Sequence, residues 1–412
     1  MISVNSICLT NGLKLIIRQS NHFKSSTLSI WYGAGSITES NDNIGISHLL
    51  EHYLHRGTKT YKNPYKKLFP TLGATFNAFT TRDYTCYHSS FPSQFLEQVF
   101  LFEKDRMINS EFKTDEIEKE KEIINAEIGI YKKLRRSKVN DFINHYYYNN
   151  HPYSYPVIGT EKTIQNINIK ELEEYYKVHY LNTSTVLVLS TNLEQNWVTD
   201  KFSTIFSNIK VRNMGHRLLL YKENIVGPKK IEINNQFLEI VYFAPAAEHE
   251  NFNNFMHLMH LLSGINIDTF NVLNKQVTAG SLLYEFLIKR GFAKQVWTMY
   301  TPSRMKSIYK ITILPIKDKA SVLNEFDKLL SNIREGNIDL KFLKYVKLNS
   351  LNLLNYINAS STTDCIEFGK LYTVGGNSAV KLMGPSFNSI QLDDIQQSCV
   401  DWLSDNNRTT IL

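Results

Sequence analysis

The chain has 412 residues, 42% hydrophobic and 21% charged, an ordinary globular balance with room for about two to three domains and several cores. A formal net charge of +7 with acids and bases interspersed excludes the basic stripe of a nucleic-acid binder. Four scattered cysteines (Cys8, Cys86, Cys365 and Cys399) without a C-x-x-C pair exclude a disulfide framework and a cysteine zinc site.

The N-terminus has no basic start before a long apolar run, and no stretch of about 18 apolar residues occurs, so neither a signal peptide nor a membrane span is expected and the expected compartment is the cytoplasm. Residues 7–18 predict two short strands around Asn11-Gly12, a pair that tolerates the positive φ of a tight hairpin. Residues 26–33 alternate as a further strand, ended by Gly33 and Gly35. The segment 43–56 carries Ile46, Leu49, Leu50, Tyr53 and Leu54 at helical spacing, with Asn43 or Ser47 as its expected cap. A short helix is predicted over 64–70, and 74–91, rich in Thr, Phe and Tyr, reads as two strands. Residues 93–109, 114–135 and 137–149 read as helices, the second dense in Glu/Lys pairs at i, i+4. A loop around His151-Pro152 leads to a helix near 169–178 and a strand at 184–190.

The pattern then restarts, with strands in 229–245, helices at 253–263 and 280–290, strands near 295–300 and 306–314, and helices at 319–334, 340–357 and 392–404. Gly215 and the Gly227-Pro228 breaker put the boundary within 207–228. The predicted class is α+β: two similar α/β sandwich domains, each an antiparallel-rich sheet with helices packed on it. The first domain is expected over 1–212, a linker over 213–228 and the second domain over 229–412.

The string His48-Leu49-Leu50-Glu51-His52 carries the chemistry. Helix positions i and i+4 lie one above the other, so two imidazoles there grip one cation together. Glu51 sits beside that face, placed to hydrogen-bond water at the metal and act as general base instead of ligand. Zinc suits such donors, and a catalytic zinc takes a third protein ligand and keeps an open position. H-x-x-E-H inverts the commoner H-E-x-x-H and is a zinc-peptidase signature. A surface helix with two solvated histidines is the alternative that the pentapeptide alone leaves open.

The stretch Glu120-Lys121-Glu122-Ile123-Ile124-Asn125-Ala126-Glu127 resembles the E-x-x-x-x-N-A-E segment of the pitrilysin/insulinase family of zinc metallopeptidases, which includes the mitochondrial processing peptidase. Thr10-Asn11-Gly12, Gly35-Ser36 with Glu39, Gly45-Ile46 and Arg56-Gly57-Thr58 extend the resemblance. So do Gly73-Ala74, Asn77-Ala78 with Thr80, and Pro152-Tyr153 with Pro156 and Gly159-Thr160. The resemblance implies one Zn2+ per chain held by His48, His52 and Glu127, with Glu51 as base and Glu120, two helical turns before Glu127, orienting a ligand. It also implies that Phe76, Asn77 and Ala78 lie on an edge strand to which an extended peptide substrate adds, with the Asn side chain helping. His55, His88 and His151 read as packing residues.

Active single-chain relatives carry an Arg and a Tyr seven apart in the second domain, where they contact the substrate backbone. The matching positions here are Leu287 and Lys294, with Arg290 and Tyr300 nearby at the wrong spacing. The resemblance therefore implies a zinc-dependent endopeptidase subunit that hydrolyses unfolded peptides or a precursor leader peptide. It would be the metal-bearing half of a heterodimer whose paralogous partner carries the Arg/Tyr clamp, with the peptide enclosed between clam-like halves. A non-catalytic scaffold or a peptide-binding escort of the same fold are the alternatives.

Overall fold

The computed structural model describes residues 2–180, 182, 184–212, 229–231, 236–264, 272–383 and 391–412. They form two compact units: Met1–Val226 with Ala359–Gly369, and Gly227–Asn358 with Lys370–Leu412. The expected linker, 213–228, lies outside the described residues.

The first unit is built on β1 (Ser3–Cys8), β2 (Lys14–Gln19), β3 (Ser26–Tyr32), β4 (Thr75–Thr80), β5 (Thr85–Phe91) and β6 (Val186–Thr191). Their order is β1-β2-β6-β3-β5-β4, antiparallel except for the parallel pair β2–β6. The hairpin β1–β2 turns at Asn11-Gly12. Gly12 takes φ 91°, Asn11 Oδ1 accepts from the Leu13 N–H at 3.1 Å, and its amide donates to the Phe206 carbonyl at 2.8 Å.

The helices of this unit are α1 (Ile46–Leu54), α2 (Leu68–Thr71), α3 (Leu96–Ile108), α4 (Thr114–Lys133), α5 (Arg135–Tyr148), α6 (Glu161–Asn166), α7 (Ile169–His179) and α8 (Gln195–Phe206). Period-2 alternation turns Leu15, Ile17, Leu28, Ile30, Leu187 and Leu189 to one face of the sheet. They form one core with Leu49, Leu50 and Tyr53 of α1, Ile124 and Ile128 of α4, and Phe202 of α8. Helices α6 and α8 fall in stretches to which the sequence reading gave no element.

The opposite face of this sheet mixes Arg18, Ser29 and Ser190 with Ile16, Trp31 and Val188, and is met by 361–369. Arg18 of β2 donates to both oxygens of the buried Asp364 at 2.7 and 2.6 Å, and Ser190 of β6 donates to the same carboxylate at 2.6 Å. A side chain at Gly369 has no room, because a Cβ there lies 2.2 Å from the Trp31 indole nitrogen. The sequence reading grouped this segment with 229–412.

The second unit holds β7 (Lys229–Ile231), β8 (Leu238–Ala244), β9 (Val272–Gln276), β10 (Ala293–Tyr300), β11 (Ser307–Pro315) and β12 (Arg408–Ile411) in the order β7-β12-β8-β11-β10-β9. Only β7–β12 is parallel among these pairs. Its helices are α9 (Phe252–Ser263), α10 (Lys319–Arg334), α11 (Leu340–Ala359), the part of α12 (Ser361–Ala379) from Lys370 on, and α13 (Leu392–Trp402). The helix expected over 280–290 is a single π turn, Tyr284–Ile288. Each unit is an α+β sandwich with an antiparallel-rich sheet, as the sequence pattern predicts. Among the described residues no helix is long and apolar enough to cross a membrane.

Candidate metal centre

Helix α1 starts at Gly45, whose φ of 95° suits a residue without Cβ. A Cβ there lies 2.8 Å from the Gly159 Cα and 2.7 Å from Ile164 Cδ1, so this helix start is pressed against the turn before α6. The expected cap, Asn43 or Ser47, is not what the structure uses. No side chain at Gly45 caps the helix, and Asn43 Oδ1 instead accepts from the Ser40 N–H at 2.7 Å. The carboxylate of Glu39 satisfies the helix start from outside, accepting from the Gly45 N–H at 2.8 Å and the Ser47 N–H at 3.0 Å. Burial pushes the Glu39 carboxyl up to about 7, against the pull of its Ser47 and Gly45 donors. The Ser47 hydroxyl meets the Tyr175 hydroxyl of α7 at 2.8 Å.

With Leu49, Leu50 and Tyr53 in the core, α1 turns His48, Glu51 and His52 toward α4 and the end of β4. His48 Nε2 and His52 Nε2 lie 4.0 and 3.7 Å from Glu127 Oε2, too far for hydrogen bonds. One ligating atom from each of the three lies within 4.8 Å of the others, and among the described residues no other three His, Cys, Asp or Glu side chains gather in this way.

These donors fit zinc. Two imidazole nitrogens and one carboxylate oxygen are the three-ligand set of a catalytic site, and they converge on a gap that no hydrogen bond closes. Burial lowers His48 to about 3, with His52 adding to the effect, so its imidazole is neutral and carries a lone pair. Its Nδ1 is buried without a hydrogen-bond partner. His52 is raised overall. Burial pulls it down, and the carboxylates of Glu120, Glu127 and Glu51 outweigh that pull.

Glu51 stands beside the trio, 6% exposed. Burial raises its pKa, and the Thr80 hydroxyl, donating to Oε2 at 2.7 Å, pulls it back. Glu120 touches His52 Nδ1 at 3.5 Å and Arg56 Nη2 at 2.7 Å. Burial acts to raise Glu120, but His52 and Arg56 hold it below the usual carboxylate range.

Among the described residues, strand β4 pairs only with β5 and is an edge of its sheet. The three residues singled out there divide by parity. Phe76 packs its ring 4.2 Å from Tyr65 and 5.1 Å from His55, on the face that also carries Ala78 and Thr80. Asn77 points to the other face, exposed, and its Oδ1 accepts from the Ala78 N–H at 2.9 Å. His55 is a packing residue among Tyr65, Phe76 and Tyr87, held neutral by burial at about 4.

In the second unit Leu287 is fully buried and Lys294 is exposed on β10. Arg290 is held by Glu325 at 2.5 Å and lies over the Phe286 ring at 4.1 Å. Tyr300 is buried, with its hydroxyl donating to the Pro245 carbonyl at 2.9 Å. Tyr300 is thus enclosed, whereas the Arg290 side chain is half-exposed beside Glu325.

Sequence reasoning gave no role to Arg56, Thr80 or the capping carboxylate of Glu39. Thr80 shares parity with Phe76 and Ala78, which was the available signal for its aim at α1.

A family model described as Insulinase (Peptidase family M16) matches residues 14–161, and one described as Peptidase M16 inactive domain matches residues 166–349. The chain is 29% identical over 191 residues to the "Uncharacterized zinc protease YmxG" of Bacillus subtilis, covering 46% of this chain and 47% of that protein. It is 24% identical over 349 residues to mitochondrial-processing peptidase subunit beta of Neurospora crassa, covering 82% and 73%. Cytochrome b-c1 complex subunit 1 of Mus musculus is 29% identical over 193 residues, covering 47% and 40%. The chain thus spans about half the length of YmxG and less of the cytochrome subunit. Among solved structures, a protease from Helicobacter pylori shares the fold at a TM-score of 0.86 and 19% identity, over 100% of this chain and 99% of that one. A Pseudomonas fluorescens protein described as a peptidase M16 inactive domain shares it at 0.81 and 14% identity, over 99% and 97%.

Proposed function

Since this chain belongs to the insulinase (M16) peptidase family, we propose that it is a zinc-dependent endopeptidase subunit acting on unfolded peptides or a precursor leader segment. The observation that carries this reading is the meeting of one ligating atom each from His48, His52 and Glu127 within 4.8 Å, with Glu51 beside them. Zinc bound there supplies a Lewis acid that polarises the scissile carbonyl. Glu51 accepts the proton of the attacking water and hands it to the leaving amine. Its burial suits that task, because a raised pKa brings taking and giving a proton closer together in energy. The unpaired edge of β4 offers backbone groups to an extended peptide.

The second unit supports a divided active site. A buried Leu287 and a buried Tyr300, with Arg290 paired to Glu325, support a substrate-clamping pair supplied by a second chain. Similarity to a protein named as a processing-peptidase subunit supports the same division. A scaffold role, suggested by the cytochrome-complex relative, requires no metal and is separated by the same experiment.

That experiment measures zinc content and peptide turnover. Wild-type chain is expected to carry one zinc, and His52→Ala to lose it while keeping its circular dichroism. Glu51→Gln is expected to keep zinc and lose roughly 10²–10⁴ in rate, the usual worth of a general base. Unchanged metal in His52→Ala sinks the site, and near-normal turnover in Glu51→Gln sinks the role of Glu51.

A further inference from the structure

We propose that Arg56 is a positioning residue for the metal: it pins the Glu120 carboxylate, which fixes the His52 imidazole so that Nε2 faces Glu127. The proposal rests on the zinc reading above.

Arg56 lies four residues beyond His52, in the turn that follows α1, and both reach Glu120 on α4. The two oxygens of Glu120 are divided between them, Oε1 to Arg56 Nη2 at 2.7 Å and Oε2 to His52 Nδ1 at 3.5 Å. An imidazole ring has one rotational freedom that decides where its second nitrogen points. A carboxylate on Nδ1 removes that freedom only if the carboxylate itself is fixed. Glu120 reaches across from another helix on a flexible stem, and its side chain is 9% exposed. Among the described residues, Arg56 is its one charged partner other than His52.

The guanidinium is paired at Nη2 but not satisfied at Nε. Its Nε is buried with no hydrogen-bond partner, a cost that a surface arginine avoids by turning to water. Arginine suits the task because its fork is rigid and always charged.

The test is zinc affinity of the apoprotein, measured by competition with a chromophoric chelator. Arg56→Met keeps the apolar stem and removes the charge. It is expected to weaken zinc binding about 10-fold, the lower end of the effect of losing a group behind a ligand, with the thermal midpoint of the apoprotein little changed. Arg56→Lys is expected to recover most of the affinity. The double variant Arg56→Met/Glu120→Gln is expected to bind no more weakly than Glu120→Gln alone, because Arg56 acts through Glu120. Wild-type affinity in Arg56→Met, or simple additivity in the double variant, overturns the proposal. If His52→Ala binds zinc as tightly as wild type, the zinc site itself is misassigned and the proposal falls with it. Loss in His52→Ala with none in Arg56→Met overturns Arg56 alone.

Discussion

The Thr80 hydroxyl donates to Glu51 Oε2 at 2.7 Å, tying the last residue of the edge strand β4 to the helix that carries both histidines. This hydrogen bond opposes the burial that raises Glu51. A peptide added to β4 would therefore lie along a strand whose end already touches Glu51, the proposed general base.

Thr80→Val removes only the hydroxyl and keeps the β-branched shape. Without its donor the ionised form of Glu51 is less favoured, so its pKa rises further. The acid limb of kcat/KM for the zinc-loaded, partner-complete enzyme is expected to move to higher pH by roughly one unit, the size of a hydrogen bond to a charged group. The plateau above it should be nearly unchanged. A pH–rate profile checks this, and a limb that stays put or moves toward acid contradicts it.

Glu39 gives a stability prediction with a defined sign. Its carboxyl is pushed up to about 7 from an ordinary 4.5, so the folded chain holds this proton more tightly than the unfolded chain between those values. Stability linked to Glu39 is therefore present at low pH and lost as pH rises through that window. Denaturant midpoints at pH 5 and pH 8 are expected to fall more for wild type than for Glu39→Gln. The opposite slope would mean that the two N–H donors outweigh burial.

The divided active site predicts that the purified chain alone is a poor peptidase. Adding a paralogue that carries the Arg/Tyr pair should raise the rate, by about 10² for each positioning contact restored. Leu287→Arg should fail to substitute for that partner. It places a charge at a fully buried position and is expected to cost several kcal/mol of stability, read as a lowered thermal midpoint. Full turnover by the isolated chain at nanomolar concentration would refute the division.

Much of the site was legible in the sequence because its signals are local. The hairpin at Asn11-Gly12 follows from φ tolerance at two adjacent residues, and α1 and α4 follow from apolar spacing near 3.6. The pairing of His48 with His52 is fixed by one helical turn. Helix α8 went unread although Val198, Phe202, Ile205 and Phe206 lie at helical spacing, and α6 went unread although Thr160 and Thr163 form a capping box.

What the sequence alone determined was which side chains share a face of one element: His48 with His52, Glu120 with Glu127, Phe76 with Ala78 and Thr80. What only the tertiary structure decided was which faces meet. Glu39 caps a helix that starts at Gly45 through two backbone hydrogen bonds, where the local pattern favoured Asn43 or Ser47. Arg56 finds Glu120, Thr80 finds Glu51, and Arg18 finds Asp364 from a distant part of the chain. Periodicity is set by backbone geometry and can be read in a short window. The partners of buried charges are set by which surfaces exclude water together, and that is a property of the packed chain.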